Sequence, residues 1–476
     1  MASNRSPIDF YKEYDEIKSK MGSGGLISTL KPLMENLSGT WLSANTNTLN
    51  TKVSEEYPNN QVPLTDDNPD FSVKFLDINE QKYEDYYNVI SNSILWYVHH
   101  NIWKPPEDEE QYIKINNAWN HGYLAVNQEF AKKIVELTEL TDKKSLIMLQ
   151  DYHLYLTPAY IRNKTDNVFL NQFIHVPWPD WDYYSVLPDH MQDSILNGLL
   201  SNDLLGFHIP KYVKNFLDCC EGFADSVDYQ NCTVRYNGHE TMIKSYPISV
   251  DTTSLHELSE NSEVKKYESL INRIKEDNFL IYRTDRADLS KNIPRGFMAY
   301  EALLRNHPEY RGKVKFLVTG KSTREDLDDY KKYREGIELL IERINWIYST
   351  NEWKPIEEIF NAPYELVMAA LKNYDCLMVN PLCDGMNIVS KEGPLVNKTD
   401  GTMILSEEAG SYEELKNHVI KVDPYDVSET ADALYSAVEM NFEKRIKNSN
   451  GLKEVIEDNT IYDWILDQFN DISVKF

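Results

Sequence analysis

Long apolar runs and paired cysteines are both missing from this chain of 476 residues. No stretch approaches the ~18 apolar residues that a membrane-spanning helix needs, and the first residues lack the apolar core of a secretory leader. The five cysteines are an odd number without a CxxC pair, which argues against a disulfide framework and against a zinc site. We therefore expect a cytoplasmic protein that needs no structural metal.

Basic residues are also scarce, with 49 Lys and Arg against 76 Asp and Glu and a formal net charge of −27. Long-range repulsion of this size opposes binding to nucleic acid. An anionic substrate would therefore need a local group of Arg and Lys side chains. Aromatic residues are abundant at 12 %, which is compatible with an ordinary core and with rings that line a sugar site.

Short apolar runs alternate with helical patterns, which is typical of α/β units on parallel sheets. The predicted strands cover residues 145–150, 167–174, 203–206, 278–283, 313–319 and 376–379. Polar residues follow them, at the edge where doubly wound sheets bind ligands. A charged helical segment, 254–275, separates two such series. We predict an α/β fold of two Rossmann-like domains that face each other across a central cleft. The N-terminal domain is 1–252, the C-terminal domain is 253–455, and 456–476 form a helix that packs back toward the first.

Two cations, Arg286 and Lys291, follow a predicted strand and precede a helical pattern. Arg offers a forked donor and Lys a compact charge, so the pair suits a diphosphate. Such cations stabilise the negative charge that grows on a departing diphosphate. The alternative is a surface salt-bridge cluster with Asp285 and Asp288, which spacing alone slightly favours.

A second motif, residues 384–392, again leads from a predicted strand through a glycine turn into a helix. Asp384 and Glu392 are too far apart for one helical turn, so we expect them to serve different parts of one extended ligand. A carboxylate past a glycine turn can hold a ribose hydroxyl pair. Taken singly, each residue also has an ordinary explanation, Asp384 as a residue at a helix start and Glu392 as a solvated side chain.

Weaker candidates are the glycine-rich residues 22–25, which suit an anion or a plain flexible turn. Asp151 and His175 each follow a predicted strand and can orient sugar hydroxyls, although a histidine at a strand end is more often structural. The sequence has no nucleophile elbow, no GxGxxG and no HExxH. These absences argue against a hydrolase triad, a standard dehydrogenase and a zinc protease.

Longer sequence blocks extend these motifs from Ser3 to about Val438. They are SNRSP at 3–7, YYNVISNSILW at 86–96, LQDYHLYLTPAYIR at 149–162, FIHVPWP at 173–179, NDLLGFHIPKYVKNFLDCC at 202–220, RADLSKN at 286–292 and DGMNIVSKEGP at 384–394. In this order they resemble the trehalose-6-phosphate synthases, a family of retaining GT-B glycosyltransferases.

The resemblance implies that glucose moves from UDP- or GDP-glucose to glucose 6-phosphate, with the α configuration retained and without metal or cofactor. Arg286 and Lys291 would bind the diphosphate, and Glu392 the ribose. The implied donor-binding set is Gly24, Gly25, His175, Arg286, Lys291, Asp384, Gly385, Met386, Asn387 and Glu392. The implied acceptor-binding set is Arg5, Trp41, Tyr87, Trp96, Asp151 and Arg324, with the two arginines on the phosphate. Catalytic work would fall to Arg286, Lys291, Asp151, His175 and Asp384. Partners would be small molecules, not nucleic acid or membranes, and homo-oligomer formation stays open.

Some residues depart from the commonest family pattern. Residues 290–292 are Ser-Lys-Asn where many relatives have Lys-Gly, and 392–394 are Glu-Gly-Pro where many have Tyr after the Glu. These variants resemble an actinobacterial-type branch that includes users of GDP-glucose. Cys383 stands where an Arg is common. Other phosphorylated acceptors, as in glucosylglycerol-phosphate or validoxylamine-phosphate synthases, and a non-catalytic sugar-phosphate sensor therefore stay open.

Overall fold

The computed structural model describes residues 1–21, 38–64, 70–324 and 327–476. The chain divides into two compact units, one formed by 1–247 with 465–476 and the other by 248–464. Each unit combines helices with a mainly parallel sheet, which confirms the predicted α/β class. Among the described residues, no helix is long and apolar enough to cross a membrane.

The first unit is built on one large sheet and a separate hairpin. Its strands are β1 (Ala2–Ser3), β2 (Ile8–Glu13), β3 (Glu16–Met21), β4 (Gly39–Asn45), β5 (Val62–Pro63), β6 (Phe71–Asp77), β7 (Ser145–Gln150), β8 (Val168–Phe173), β9 (Leu204–Phe207), β10 (Ser226–Asp228), β11 (Thr233–Tyr236) and β12 (His239–Ser245). The described residues place ten of them in the order β10-β11-β12-β9-β8-β7-β1-β4-β6-β5, while β2 and β3 form the hairpin. Strands β1, β7 and β8 are parallel neighbours, so their carboxyl ends meet at one edge.

Helices of the first unit include two π-helical segments, which have wider turns than an α-helix. Its helices are Thr48–Ser54, Glu80–Tyr83, Glu84–Leu95 (π), Trp96–His99, Glu109–Ala118, Trp119–Leu124 (π), Ala125–Thr138, Thr157–Arg162, Trp181–Tyr184, Asp189–Leu199 and Pro210–Cys220. The two π segments pack closely: a Cβ on Gly122 would lie 2.5 Å from Cβ of Asp85 and 2.6 Å from the Tyr86 nitrogen. Glycine is therefore required at this contact. π-Helical turns are rare and occur frequently at functional sites.

The last residues of the chain belong to the first unit. They form the end of the helix Ile461–Lys475. Asn171 donates a hydrogen bond to Gln468 at 3.2 Å, and the Tyr246 hydroxyl donates to Asp471 at 2.7 Å. These contacts join the helix end to β8 and to the residue that follows β12.

The second unit is built on an all-parallel, six-stranded sheet. Its strands are β13 (Phe279–Arg286), β14 (Val314–Lys321), β15 (Ile356–Phe360), β16 (Cys376–Val379), β17 (Thr402–Ser406) and β18 (Ile420–Val422), in the order β15-β14-β13-β16-β17-β18. Successive residues of β13 belong to different apolar clusters. Leu280 and Tyr282 pack in one cluster, and Ile281 packs in the other. Both faces of the sheet are therefore covered, as parallel sheets require.

The α-helices of this unit are Thr252–Ser259, Ser262–Lys275, Ile293–Asn306, Asp328–Tyr348, Tyr364–Asn373, Val389–Val396, Tyr412–Leu415, Val427–Val438, Phe442–Asp458 and the start of Ile461–Lys475. The helical segment predicted at 254–275 is two helices, because the Asn261 side chain caps the second one by accepting the Glu263 N–H at 2.9 Å. Strands β7, β8, β9, β13, β14 and β16 confirm the predicted strands. β13 extends farther than predicted because Thr284 and Asp285 stay in register with Thr319 and Gly320.

Candidate functional site

Two loops of the second unit meet at the carboxyl ends of β13 and β16. The strands are parallel neighbours, with Ile281 opposite Cys376. Their loops are joined through the backbone, where the Leu382 N–H donates to the Ser290 carbonyl at 2.8 Å. The predicted motifs at 286–292 and 384–392 therefore lie side by side.

Lys291 and Asp384 form a hydrogen-bonded ion pair between these loops. Each side chain is 14 % exposed. Asn387 Nδ2 donates to the same Asp384 oxygen at 2.9 Å. The carboxylate therefore holds the ammonium in one place while leaving it partly open to solvent, which suits a cation that receives an anionic group.

The turn at Gly385 is fixed by the loop that follows β17. Gly410 N–H donates to the Asp384 carbonyl at 3.0 Å, and Ser411 N–H donates to the Met386 carbonyl at 3.1 Å. A Cβ on Gly410 would lie 2.0 Å from the Gly385 oxygen, so a larger residue does not fit there. The backbone predicted to contact the donor sugar is thus held rigidly.

Glu392 lies in the first turn of the helix Val389–Val396 and accepts a hydrogen bond from the Tyr364 hydroxyl at 2.9 Å. Desolvation raises the pKa of the Glu392 carboxyl, and the hydrogen bond from Tyr364 opposes that shift. A carboxylate in this environment is stabilised by further hydroxyl donors. That requirement fits a ribose hydroxyl pair.

The two arginines of this unit that are assigned to phosphates occupy different positions. Arg286 is the last residue of β13 and is half-buried. Arg324 is 8 % exposed and donates at 2.8 Å to Asp288, which is fully buried. Asp288 also accepts the Ser290 N–H at 3.1 Å and the Ser290 hydroxyl at 2.9 Å. Arg324 is therefore fastened to the loop that carries Lys291.

Sequence reasoning missed Arg283, whose side chain is 0 % exposed. Its guanidinium donates to Asp285 at 2.7 Å, to Asn380 Oδ1 at 3.1 Å and to the Lys291 carbonyl at 2.9 Å. Asp285 and Asp288, the partners in the surface salt-bridge alternative, thus bind Arg283 and Arg324. The available signal was an arginine at the end of an apolar strand, because a buried charge needs partners.

In the first unit, Asp151 and His175 follow neighbouring strands and are in contact. The backbone N–H of His175 donates to Asp151 Oδ1 at 3.1 Å, and the ring nitrogen Nε2 of His175 lies 2.9 Å from Gln150 Oε1. Asp151 has a φ of 70°, a strained value for a residue with a side chain. Desolvation raises the pKa of Asp151 to about 7. Desolvation, with His208 nearby, holds the pKa of His175 well below its usual value. At neutral pH, His175 is therefore uncharged.

Arg5 follows β1, is exposed, and donates to the Tyr87 hydroxyl at 3.0 Å. The Tyr87 ring is stacked on Tyr83, with centroids 5.2 Å apart, and on His153, with centroids 5.8 Å apart. Tyr87 belongs to the π segment Glu84–Leu95. The stack holds the phenol beside an exposed guanidinium, a pair that can receive a phosphate.

The two tryptophans predicted to shape the acceptor site are buried. Trp41 is 0 % exposed, and its indole N–H donates to the Ser3 hydroxyl at 2.8 Å. That hydroxyl donates to the Arg5 carbonyl at 2.7 Å, so Trp41 supports the backbone at Arg5. Trp96 is 7 % exposed and stacks on His100 with centroids 3.9 Å apart.

The remaining predicted residues, Gly24 and Gly25, lie outside the described residues. The structure thus groups Arg286, Lys291, Asp384, Gly385, Met386, Asn387, Glu392 and Arg324 in the second unit, and Arg5, Trp41, Tyr87, Trp96, Asp151 and His175 in the first. In the described part of the chain, no group of three or more His, Cys, Asp and Glu side chains is placed to hold a metal ion.

Comparisons with known proteins agree over nearly the whole chain. The model for glycosyltransferase family 20 matches residues 1–474. The α,α-trehalose-phosphate synthase [UDP-forming] of Schizosaccharomyces pombe is 30 % identical over 478 residues, which covers 98 % of this chain and 88 % of that protein. The protein of the same name from Emericella nidulans is 30 % identical, covering 98 % of this chain and 90 % of that protein. A solved structure described as trehalose-6-phosphate from E. coli bound with UDP-2-fluoro glucose has a TM-score of 0.84 at 27 % identity, covering 99 % of this chain and 97 % of that one. These matches confirm the predicted GT-B fold.

Proposed function

The chain belongs to glycosyltransferase family 20, and we propose that it transfers glucose from UDP-glucose or GDP-glucose to glucose 6-phosphate, forming trehalose 6-phosphate. The observation that carries the proposal is the Lys291–Asp384 ion pair, set between two strand-end loops and 14 % exposed on each side. Ligands of doubly wound sheets bind at this edge. The relatives' names, α,α-trehalose-phosphate synthase [UDP-forming], support the same reaction.

The donor is assigned to the two loops. Lys291 and Arg286 bind the diphosphate and stabilise the charge that it gains as it leaves. Glu392 accepts hydrogen bonds from the ribose hydroxyls. Asp384 and the backbone at Gly385, Met386 and Asn387 are assigned to the glucose, and His175, Gly24 and Gly25 are assigned to the donor as well.

The proposed transfer breaks the bond between the donor anomeric carbon and the diphosphate oxygen. The anomeric hydroxyl oxygen of glucose 6-phosphate forms the new bond on the same face, so the α configuration is retained. Its proton passes to the departing phosphate oxygen. No carboxylate forms a covalent intermediate, and the proposal includes no metal ion because Arg286 and Lys291 supply the positive charge.

The acceptor is assigned to Arg5, Tyr87 and Arg324 for its phosphate and to Asp151 for its hydroxyls. Trp41 and Trp96 shape this site through the backbone and rings that they hold. Both substrates are phosphorylated metabolites, and all five cysteines are free thiols. Both features fit the proposed cytoplasmic location.

A grid of donors and acceptors tests the proposal. UDP-glucose and GDP-glucose are each incubated with glucose 6-phosphate, glycerol 3-phosphate or a cyclitol phosphate, with and without EDTA, and nucleoside diphosphate release is measured. We expect EDTA-insensitive release with glucose 6-phosphate, and an α,α-linked product by NMR. Turnover only with another acceptor would replace the proposed acceptor. Sugar-phosphate binding without turnover under either donor would refute the transfer and favour a sensor.

A further inference from the structure

Arg283 lies at the centre of a polar network beneath the two donor loops. It extends from β13, is 0 % exposed, and is ion-paired with Asp285. Its remaining contacts reach both loops, the Lys291 carbonyl at 2.9 Å and Asn380 Oδ1 at 3.1 Å. Because a guanidinium carries only donors, each of its partners must present an acceptor.

Asn380 extends the network to the loop after β16. Its Oδ1 must face Arg283, since its amide nitrogen would meet another donor there. Its backbone carbonyl accepts a hydrogen bond from Asn292 Nδ2 at 3.0 Å. Asn292 has a φ of 58° and starts the helix Ile293–Asn306. The Lys291 carbonyl is therefore linked to Asn380 through Arg283, and the next residue, Asn292, is bound to Asn380 directly.

Gly296 provides the space that the guanidinium occupies. A Cβ built on this residue would lie 2.6 Å from Arg283 Nη1 and 2.9 Å from the Met378 sulfur. Real Cβ atoms are not found this close to other heavy atoms, so a side chain at Gly296 would displace the guanidinium. The helix therefore contains a glycine where the buried arginine crosses it.

We propose that Arg283 is a positioning residue that sets the direction of the Lys291 side chain toward the donor diphosphate. It acts by holding the Lys291 carbonyl and by joining that loop to Asn380. Arg283 also neutralises Asp285, so this buried carboxylate does not repel the diphosphate. The inference rests on the proposed donor site. Such positioning matters for the rate, because a displacement of a catalytic group by about 1 Å can cost on the order of 10²-fold.

Gly296→Ala tests the inference without changing any charge. Gly336→Ala is the matched control, because Gly336 lies within the helix Asp328–Tyr348 and a Cβ there has nothing within 4 Å. Isothermal titration of each full-length protein with UDP, GDP, uridine and guanosine gives the dissociation constants. The ratio of the nucleoside constant to the constant of its diphosphate is the diphosphate advantage. We expect Gly296→Ala to lower that advantage at least tenfold and to leave nucleoside affinity unchanged. Gly336→Ala should match the wild type.

Arg283→Lys tests the same contacts by changing the donor side chain itself. It keeps the positive charge beside Asp285 but cannot reach Asp285, Asn380 and the Lys291 carbonyl together. We expect the same loss of diphosphate advantage and a fall in kcat with KM for glucose 6-phosphate unchanged. If Gly296→Ala does not fold, Asn380→Ala replaces it, because it removes the acceptor for Nη1 without adding volume.

The possible outcomes separate the two proposals. The positioning role is overturned if two folded variants both keep the wild-type preference for diphosphate over nucleoside. These variants are Arg283→Lys and Gly296→Ala, with Asn380→Ala in place of Gly296→Ala if the latter does not fold. The proposed function is left intact by that result. An equal loss of nucleoside and diphosphate affinity also overturns it, because it indicates general damage to the unit. A wild-type protein that binds neither UDP nor GDP more tightly than the nucleosides overturns the donor site and this inference together.

Discussion

Replacing Lys291 with alanine removes the ammonium that we assign to the leaving diphosphate. Loss of one group that stabilises developing charge typically costs about 10²–10³-fold in kcat, or about 2.7–4 kcal/mol. The Lys291–Asp384 pair is only 14 % exposed on each side, so water compensates little for the lost charge. The Asp384 carboxylate also loses its ammonium partner and would repel the diphosphate. We therefore expect the upper half of that range.

The assay is the initial rate of nucleoside diphosphate release with donor and acceptor at saturation. Lys421→Ala is the control, because it also breaks a lysine–carboxylate pair in the second unit, with Glu407 at 2.9 Å, but its side chain is 47 % exposed. Exposed pairs of this kind contribute about 0–1 kcal/mol, so its kcat should be unchanged. A kcat for Lys291→Ala within threefold of the wild type would refute the assigned role.

Asp384→Asn separates the two contributions to this loss. If repulsion from an uncompensated Asp384 adds to the loss, the double variant Lys291→Ala/Asp384→Asn should have a higher kcat than Lys291→Ala alone. The effects of substituting two residues in contact are generally not additive. Strict additivity of the two single effects would show that the carboxylate acts independently of Lys291.

Three further substitutions test other parts of the site. Asp151→Asn removes a carboxyl whose pKa desolvation raises to about 7. Because a raised pKa favours the folded state at low pH, the wild type should lose stability relative to this variant as pH rises through about 7. Thermal unfolding of both proteins from about pH 5 to 9 measures this, and parallel profiles would contradict it. Arg324→Ala should raise KM for glucose 6-phosphate about tenfold or more and lower the melting temperature, because it leaves buried Asp288 without its arginine. An unchanged KM in steady-state kinetics would exclude Arg324 from phosphate binding. Glu392→Gln should raise KM for the nucleotide sugar about tenfold, the cost of weakening a charged hydrogen bond, with little change in kcat. Equal KM values for the variant and wild type would exclude the ribose contact.

The predicted strands were found because their signal is local. Runs such as 145–150 and 376–379 are apolar, short and followed by polar residues, and they form β7 and β16. The pattern also predicted that Asp151, His175, Lys291 and the 384–392 motif follow strands. Which of these strand ends are neighbours became clear from the strand order, in which β7 lies beside β8 and β13 beside β16.

The partners of the charged residues were not predictable in this way. Asp384 is 93 residues from Lys291, and Asp288 is 36 residues from Arg324, so each pair depends on tertiary folding. Spacing instead suggested Asp285 and Asp288 as partners of the nearby cations. The π segments also escaped sequence reasoning, and no local pattern reveals the close contact at Gly122 where they pack together.

The balance of charge in the donor loops indicates how an acidic chain can hold a diphosphate. Arg283 and Arg324, at 0 % and 8 % exposure, are paired with Asp285 and Asp288, at 9 % and 0 %. Breaking either pair would leave a buried charge, at a typical cost of about 3–5 kcal/mol, so both should persist when ligand binds. Lys291 and Asp384 are each 14 % exposed, so exchanging this pair for a phosphate oxygen costs less. The deeper pairs therefore hold the donor loops in place, and the shallower pair exchanges its internal contact for one between Lys291 and the donor diphosphate.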